Sequence, residues 1–276
     1  MLVGRGGIVA LAEQARVLIT VKASPEPSTS YGDTVCVAGI RLDSPLHEWI
    51  RLYPVPFRYL DNEQKFKKYD VLSVNVVKAT KDARRESFSP DLASIQKGAH
   101  LKVSDRANHI LPLVKRSMCQ VQADIGADLN GPSLAIVHGR QVKRLVVTKH
   151  PGWTQQEAAR LAHWAKAPDL FGTPRARQLQ APRFKATYEW LCDSPECKGH
   201  AQRLLDWELT AFQRRFDQDD DATLANRIKE KFLDDMFSNR APHFYVGNFA
   251  SGPKRKSFSI LGVFAADRAT PDEPLF

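Results

Sequence analysis

Two cysteines and a histidine stand within nine residues in Tyr188-Glu-Trp-Leu-Cys192-Asp-Ser-Pro-Glu-Cys197-Lys-Gly-His200. Thiolate and imidazole are the donors that zinc prefers, and a turn holding Pro195 and Gly199 can fold three of them inward. The spacing differs from a zinc knuckle: four residues separate the cysteines, and no cysteine follows His200. The segment reads as a zinc-binding turn of Cys192, Cys197 and His200, with Asp206, His243 or a water molecule in the fourth position. Four protein ligands make such a site structural, whereas three plus water leave it open for catalysis. A disulfide, or two free thiols beside a surface histidine, are the competing readings. Cys36, in an apolar run, and Cys119, in a basic stretch, read as structural thiols.

A second constellation follows directly. His200, Asp206 and Glu208 could hold a divalent metal and activate water for phosphodiester hydrolysis. Read as one helix, residues 206 and 208 diverge by about 200°, which favours two solvated acids in a first helical turn.

Two further clusters suit a polyanion. In Trp49-Ile-Arg51-Leu-Tyr53-Pro-Val-Pro-Phe57-Arg58-Tyr59, strand alternation puts Trp49, Arg51 and Tyr53 on one face. Aromatic rings and Arg on one face can stack on bases and pair with phosphates, unless the strand is simply core. In Lys78-Ala-Thr-Lys-Asp82-Ala-Arg84-Arg85-Glu86-Ser87, the arginines could hold phosphate or close salt bridges with Asp82 or Glu86. Lys67 and Lys68, just before the next strand, extend the basic set, as does a basic turn at 252–256.

The charge balance points the same way. The chain of 276 residues has 40 Lys and Arg against 31 Asp and Glu, a formal charge of +9. Between residues 51 and 185 the counts are 24 and 11, so the excess is local. Local basicity is the footprint of a polyanion partner. Composition is that of a folded protein with 43% hydrophobic residues, which excludes collagen and wholesale disorder. Phosphate-loop, dinucleotide-binding, nucleophile-elbow and zinc-deaminase signatures are all missing from the sequence. No apolar run approaches the roughly 20 residues that span a bilayer, so no membrane partner is expected.

The elements that must position these residues begin with strands. Val17–Lys22, Thr34–Leu42, Glu48–Val55 and Val71–Ala79 are Val-, Ile- and aromatic-rich runs bounded by turn residues. Ser89-Pro90-Asp91 predicts a helix ending near Gly98, and 104–122 a helix broken at Pro112. Segments 133–137 and 141–149 read as a strand pair around His138-Gly139. Thr154 and Glu157 form a capping box for a helix running to Lys166. Strand 184–191, helices 201–216 and 222–237, and a final strand pair, 244–249 and 257–264, complete the chain.

The fold class expected is α+β: a small N-terminal β-barrel-like module, OB-like or PUA-like, then an α+β module with the zinc-binding turn. The divisions are 1–16 as an N-terminal extension, 17–100 as the barrel, 101–167 as a mixed connection, 168–183 as a basic Pro-rich loop and 184–276 as the second module. The function expected is nucleic-acid binding, DNA or RNA, in the cytoplasm, with structural zinc as cofactor. Phosphate contacts fall to Arg51, Arg58, Lys67, Lys68, Arg84 and Arg85, and stacking to Trp49 and Tyr53. A metal-dependent nuclease using Asp206 and Glu208 is the alternative, as is an interaction subunit docking another protein through the tail at 272–276.

Overall fold

The computed structural model describes residues 12–27, 34–166, 179–238, 240–250 and 254–267. Most of the expected N-terminal extension, most of the Pro-rich loop and the C-terminal tail lie outside the described residues. The chain forms two sheets, each with its own apolar core, joined through a third apolar cluster.

The N-terminal part is a closed five-stranded barrel. Strands β1 (Glu13–Lys22), β2 (Val35–Arg41) and β3 (Trp49–Val55) form an antiparallel meander. β4 (Asp70–Lys78) returns antiparallel to β1, and β5 (Ser87–Pro90) runs parallel to β3 and antiparallel to β4, closing the ring. This order, 1-2-3-5-4-1, is consistent with an OB-like module. β6 (Gln96–His100) follows β5 along the same edge of β4. Strand alternation fills the interior with Val17, Ile19, Val37, Ile50, Leu52, Leu72 and Val74.

Segment 89–98, expected as a helix, is instead the end of β5, a 3-10 turn at Leu92–Ser94 and β6. Pairing of Phe88 with Leu52 on one side and Lys78 on the other completes the barrel, and that closure overrides the Ser-Pro-Asp cap.

After helix α1 (Val103–Ile110), Ser117 caps helix α2 (Met118–Ala127) through a capping box with Gln120. β7 (Leu134–Lys149) is one strand of 16 residues, not a hairpin. Two bulges, after Gly139 and after Val142, let it run on. Its first half pairs with β10 (Arg240–Asn248) and its second with β8 (Phe184–Cys192). Helix α3 (Gln155–Lys166) starts at the Thr154 box as expected.

β9 (His200–Arg203) pairs back on β8, so the first part of the expected helix 201–216 is a strand. Asp206 then caps helix α4 (Trp207–Arg215), and Asp220 caps α5 (Asp221–Lys229). A π-helical turn, Glu230–Asp234, leads to the short α6 (Asp235–Phe237); the Phe232 carbonyl accepts the Tyr188 hydroxyl. β11 (Phe258–Asp267) completes the second sheet, in the order β11-β10-β7-β8-β9. Its core places Val137, Tyr188, Trp190 and Phe244 against Val121 and Ile125 of α2 and Leu224 and Ile228 of α5.

The outer face of the barrel is not free. Leu18, Ala38 and Ile40 of β1 and β2 pack with Leu134, Ile136, Tyr245 and Leu261 of the second sheet. Trp49 joins them, its ring 6.2 Å from that of Tyr245. In the OB architecture strands 2 and 3 offer the ligand-binding face. Here much of that face is the joint between the two halves of the chain.

Candidate metal centre

Four side chains converge at one end of the second sheet. Cys192 ends β8, Cys197 lies in the β8–β9 turn, His200 opens β9 and Cys119 stands in the first turn of α2. Their ligand atoms all lie within 4.8 Å of one another, close enough to bind a metal ion. His200 Nε2 is 3.3 Å from Cys192 Sγ, 3.3 Å from Cys197 Sγ and 3.7 Å from Cys119 Sγ. Cys192 Sγ and Cys119 Sγ are 3.6 Å apart, far beyond the roughly 2.05 Å of a disulfide.

Local sequence explains the geometry. Gly199 has φ of 112°, a backbone shape that residues with a side chain rarely adopt, and it turns His200 back toward the cysteines. Trp190 packs its ring 4.8 Å from that of His200. Gln202 accepts the Trp190 indole N–H and donates to the Phe258 carbonyl, fixing the strand that carries His200.

Without a cation the cluster is in conflict with itself. Burial pushes the Cys119 thiol up, and neighbouring Cys192 and Cys197 push it the same way, to about 12. At Cys192 burial also acts upward, but hydrogen bonds from His200 and from the backbone of Ser194 and Cys119 outweigh it and bring the thiol down to about 6. One thiolate therefore suppresses the next. A divalent ion held by Cys119, Cys192, Cys197 and His200 would remove that repulsion and favour the deprotonated donors.

The fourth ligand expected from the sequence is corrected. Asp206 is engaged with Lys68, and His243 donates from Nδ1 to the Ala241 carbonyl while its ring lies 5.0 Å from that of His138. The donor that stands beside the other three is Cys119. Its signal was present: Ser117-Met-Cys-Gln120 is a capping box, which puts Cys119 in a first helical turn, where the helix dipole favours a thiolate.

The acidic pair is also not what spacing alone implied. Asp206 caps α4 from outside the helix, so it and Glu208 do converge, at 2.6 and 3.5 Å from Lys68 Nζ. Both are thus committed to one lysine, and His200 belongs to the cysteine cluster. The nuclease constellation is not assembled.

Of the cations expected to meet phosphate, three are internal. Arg51 donates to Cys36 Sγ and to the Ser133 carbonyl and hydroxyl, across the joint between the sheets. Ser133 in turn donates to Glu86. Arg84 holds Asp82 and donates to the Asn248 carbonyl. Lys68 lies buried on Asp206. These three are corrected from surface contacts to structural clamps, and Trp49 is corrected from a base-stacking platform to a packed interface ring. Lys67 and Arg85 are exposed, and Tyr53 and Arg58 are half-buried.

Residues 114–276, more than half of the chain, match the family model described as domain of unknown function DUF8757. The chain belongs to the DUF8757 family. Residues 13–116 match a second model, domain of unknown function DUF8758. All four residues of the Cys/His cluster lie in the DUF8757 part, and the closed barrel lies in the DUF8758 part. The change-over falls just before α2, between the two sheets. No curated protein and no solved structure matches the chain. No helix among the described residues is long and apolar enough to cross a membrane.

Proposed function

We propose that the protein binds nucleic acid and that the ion in its Cys3His site is zinc, acting structurally. The observation that carries the binding reading is the state of the remaining cations. Lys67, Lys81, Arg85, Lys97, Lys102 and Lys143 are exposed, and no carboxylate lies within ion-pair distance of them among the described residues. The local excess of positive charge is therefore not consumed by internal ion pairs. It is available to displace counterions from a phosphate backbone.

The zinc assignment rests on ligand type and spacing. A tetrahedral zinc with bonds of about 2.3 Å to sulfur and about 2.0 Å to nitrogen sets S···S edges of about 3.8 Å and S···N edges of about 3.5 Å. Four of the six edges, one S···S of 3.6 Å and three S···N of 3.3, 3.3 and 3.7 Å, lie close to these values, and all four donors fall within 4.8 Å of one another. Four protein ligands leave no open position, so the ion pins the β8–β9 turn to α2 rather than activating water.

The test of the binding reading is a salt titration with single- and double-stranded DNA and RNA. The reading expects log K to fall linearly with log salt, with a slope reporting several phosphates. Undetectable binding to all four polymers at low salt would overturn it.

A further inference from the structure

We propose that the cleft beside the metal centre holds the phosphodiester backbone of a bound nucleic-acid strand; this rests on the nucleic-acid reading above and names its site. The cleft encloses about 550 Å³ between the β8–β9 turn, α2 and the start of β11. Cavities of that size take ligands about as large as a nucleotide. Lys198 and Lys256 line it together with Gln122 and Ser257, all four exposed. Neither lysine has a carboxylate within ion-pair distance among the described residues, whereas Arg144, Lys149 and Arg203 of the same sheet are paired and Lys143 is not. Glu196 is the one acid of the lining. The cleft therefore offers two cations and neutral donors against one carboxylate, a lining that suits an anion with hydrogen-bonding oxygens rather than an apolar ligand.

The metal centre is part of the same cleft. Cys119 and His200 line it, and Lys198 sits in sequence between the ligands Cys197 and His200. A bound ion fixes the backbone on both sides of Lys198, so its ammonium group leaves from an anchored point. A second cleft, about 380 Å³, is lined by Lys115, Arg116, Ser117 and Gln120 with Asp193 of the same turn. Arg116 pairs with Asp124 and Asp193 with His138, which leaves Lys115 as the unpaired cation there. The β8–β9 turn thus lines two clefts, each with a lysine that has no carboxylate within ion-pair distance among the described residues.

The test uses the full-length, metal-loaded chain and a labelled 20-nucleotide single strand, of RNA and of DNA, across a salt series. Lys198→Ala/Lys256→Ala should weaken binding and lower the salt slope by about 1.4, since each lysine meets one phosphate of a single strand. Lys229→Ala/Lys231→Ala removes the same charge from the end of α5 and the π-helical turn after it, and should leave the slope close to wild type. Both doubles change exposed side chains, and equal melting temperatures check that each is folded. If wild type binds and the Lys198/Lys256 double binds with unchanged slope, the cleft assignment is overturned while the nucleic-acid reading stands. Adenosine monophosphate at millimolar concentration should not displace the strand; displacement would make the cleft a free-nucleotide site and also overturn the assignment. If wild type binds no strand, the nucleic-acid reading falls and this inference with it.

Discussion

Replacing Lys68 with Met separates a structural lysine from a phosphate contact. Lys68 Nζ lies 2.6 Å from Asp206, and the two side chains are 5% and 4% exposed. Burial is the largest influence on Lys68 and acts downward, but Asp206 and Glu208 outweigh it and keep the ammonium group charged. Met fills most of the space and leaves a buried carboxylate whose remaining bond comes from the Glu208 backbone N–H. Removing one partner of such a pair costs about 3–5 kcal/mol. A second route gives a similar figure. Asp206 can escape by taking a proton, which from an unfolded-state pKa near 3.9 costs about 4 kcal/mol at pH 7. In the variant the folded-state pKa of Asp206 is raised above the unfolded value, so its stability is intact below that value and lost as pH rises. The deficit should thus be about 4 kcal/mol at pH 7 and only about 1.5 kcal/mol at pH 5. Denaturant unfolding at both pH values measures it, and Asp206→Asn in the same chain should restore most of the loss at pH 7. A variant as stable as wild type at pH 7 but weakened in nucleic-acid binding would refute the reasoning and return Lys68 to the surface.

Two other substitutions test the barrel. A Cβ on Gly39 would lie 2.3 Å from the Leu18 carbonyl oxygen, a backbone atom that cannot move without opening the β1–β2 pair. Gly39→Ala should therefore lower stability by about 3 kcal/mol or more, read as a fall in melting temperature. Burial against Phe57 brings the Lys22 ammonium down to about 8 from 10.5. Between those values the unfolded chain binds the extra proton, so wild-type stability should climb with pH, by up to about 3 kcal/mol. Lys22→Met should lose that climb in unfolding curves taken from pH 7 to pH 10; an unchanged slope would mean Lys22 is solvated.

The parts of the fold legible in sequence were those with local signals. β2, β3 and β4 follow from Val- and Ile-rich alternation, α3 from its capping box and α5 from its aspartate cap. In sequence the long β7 reads as two strands because Gly139 and the polar residues after it imitate a turn, whereas bulges absorb them. β9 was read as helix because four residues before an aspartate cap carry little periodicity of their own. Of the candidate metal site, three residues are close in sequence and legible there; Cys119 lies 73 residues upstream of Cys192 and is not. The buried cations are the least legible of all. Lys68 meets a carboxylate 138 residues away and Arg51 a serine 82 residues away, and nothing local distinguishes such side chains from solvated ones. Strand alternation did group Trp49 with Arg51, but a single chain does not say which face a second module covers.

Metal analysis of the purified chain, wild type beside Cys119→Ser, tests the central claim most directly. The account predicts about one zinc per chain in wild type and its loss in the variant, with a lowered melting temperature, because Cys119 is the ligand that ties α2 to the β8–β9 turn. A wild-type chain that is folded and free of metal, or a Cys119→Ser chain that keeps its zinc and its stability, would contradict it.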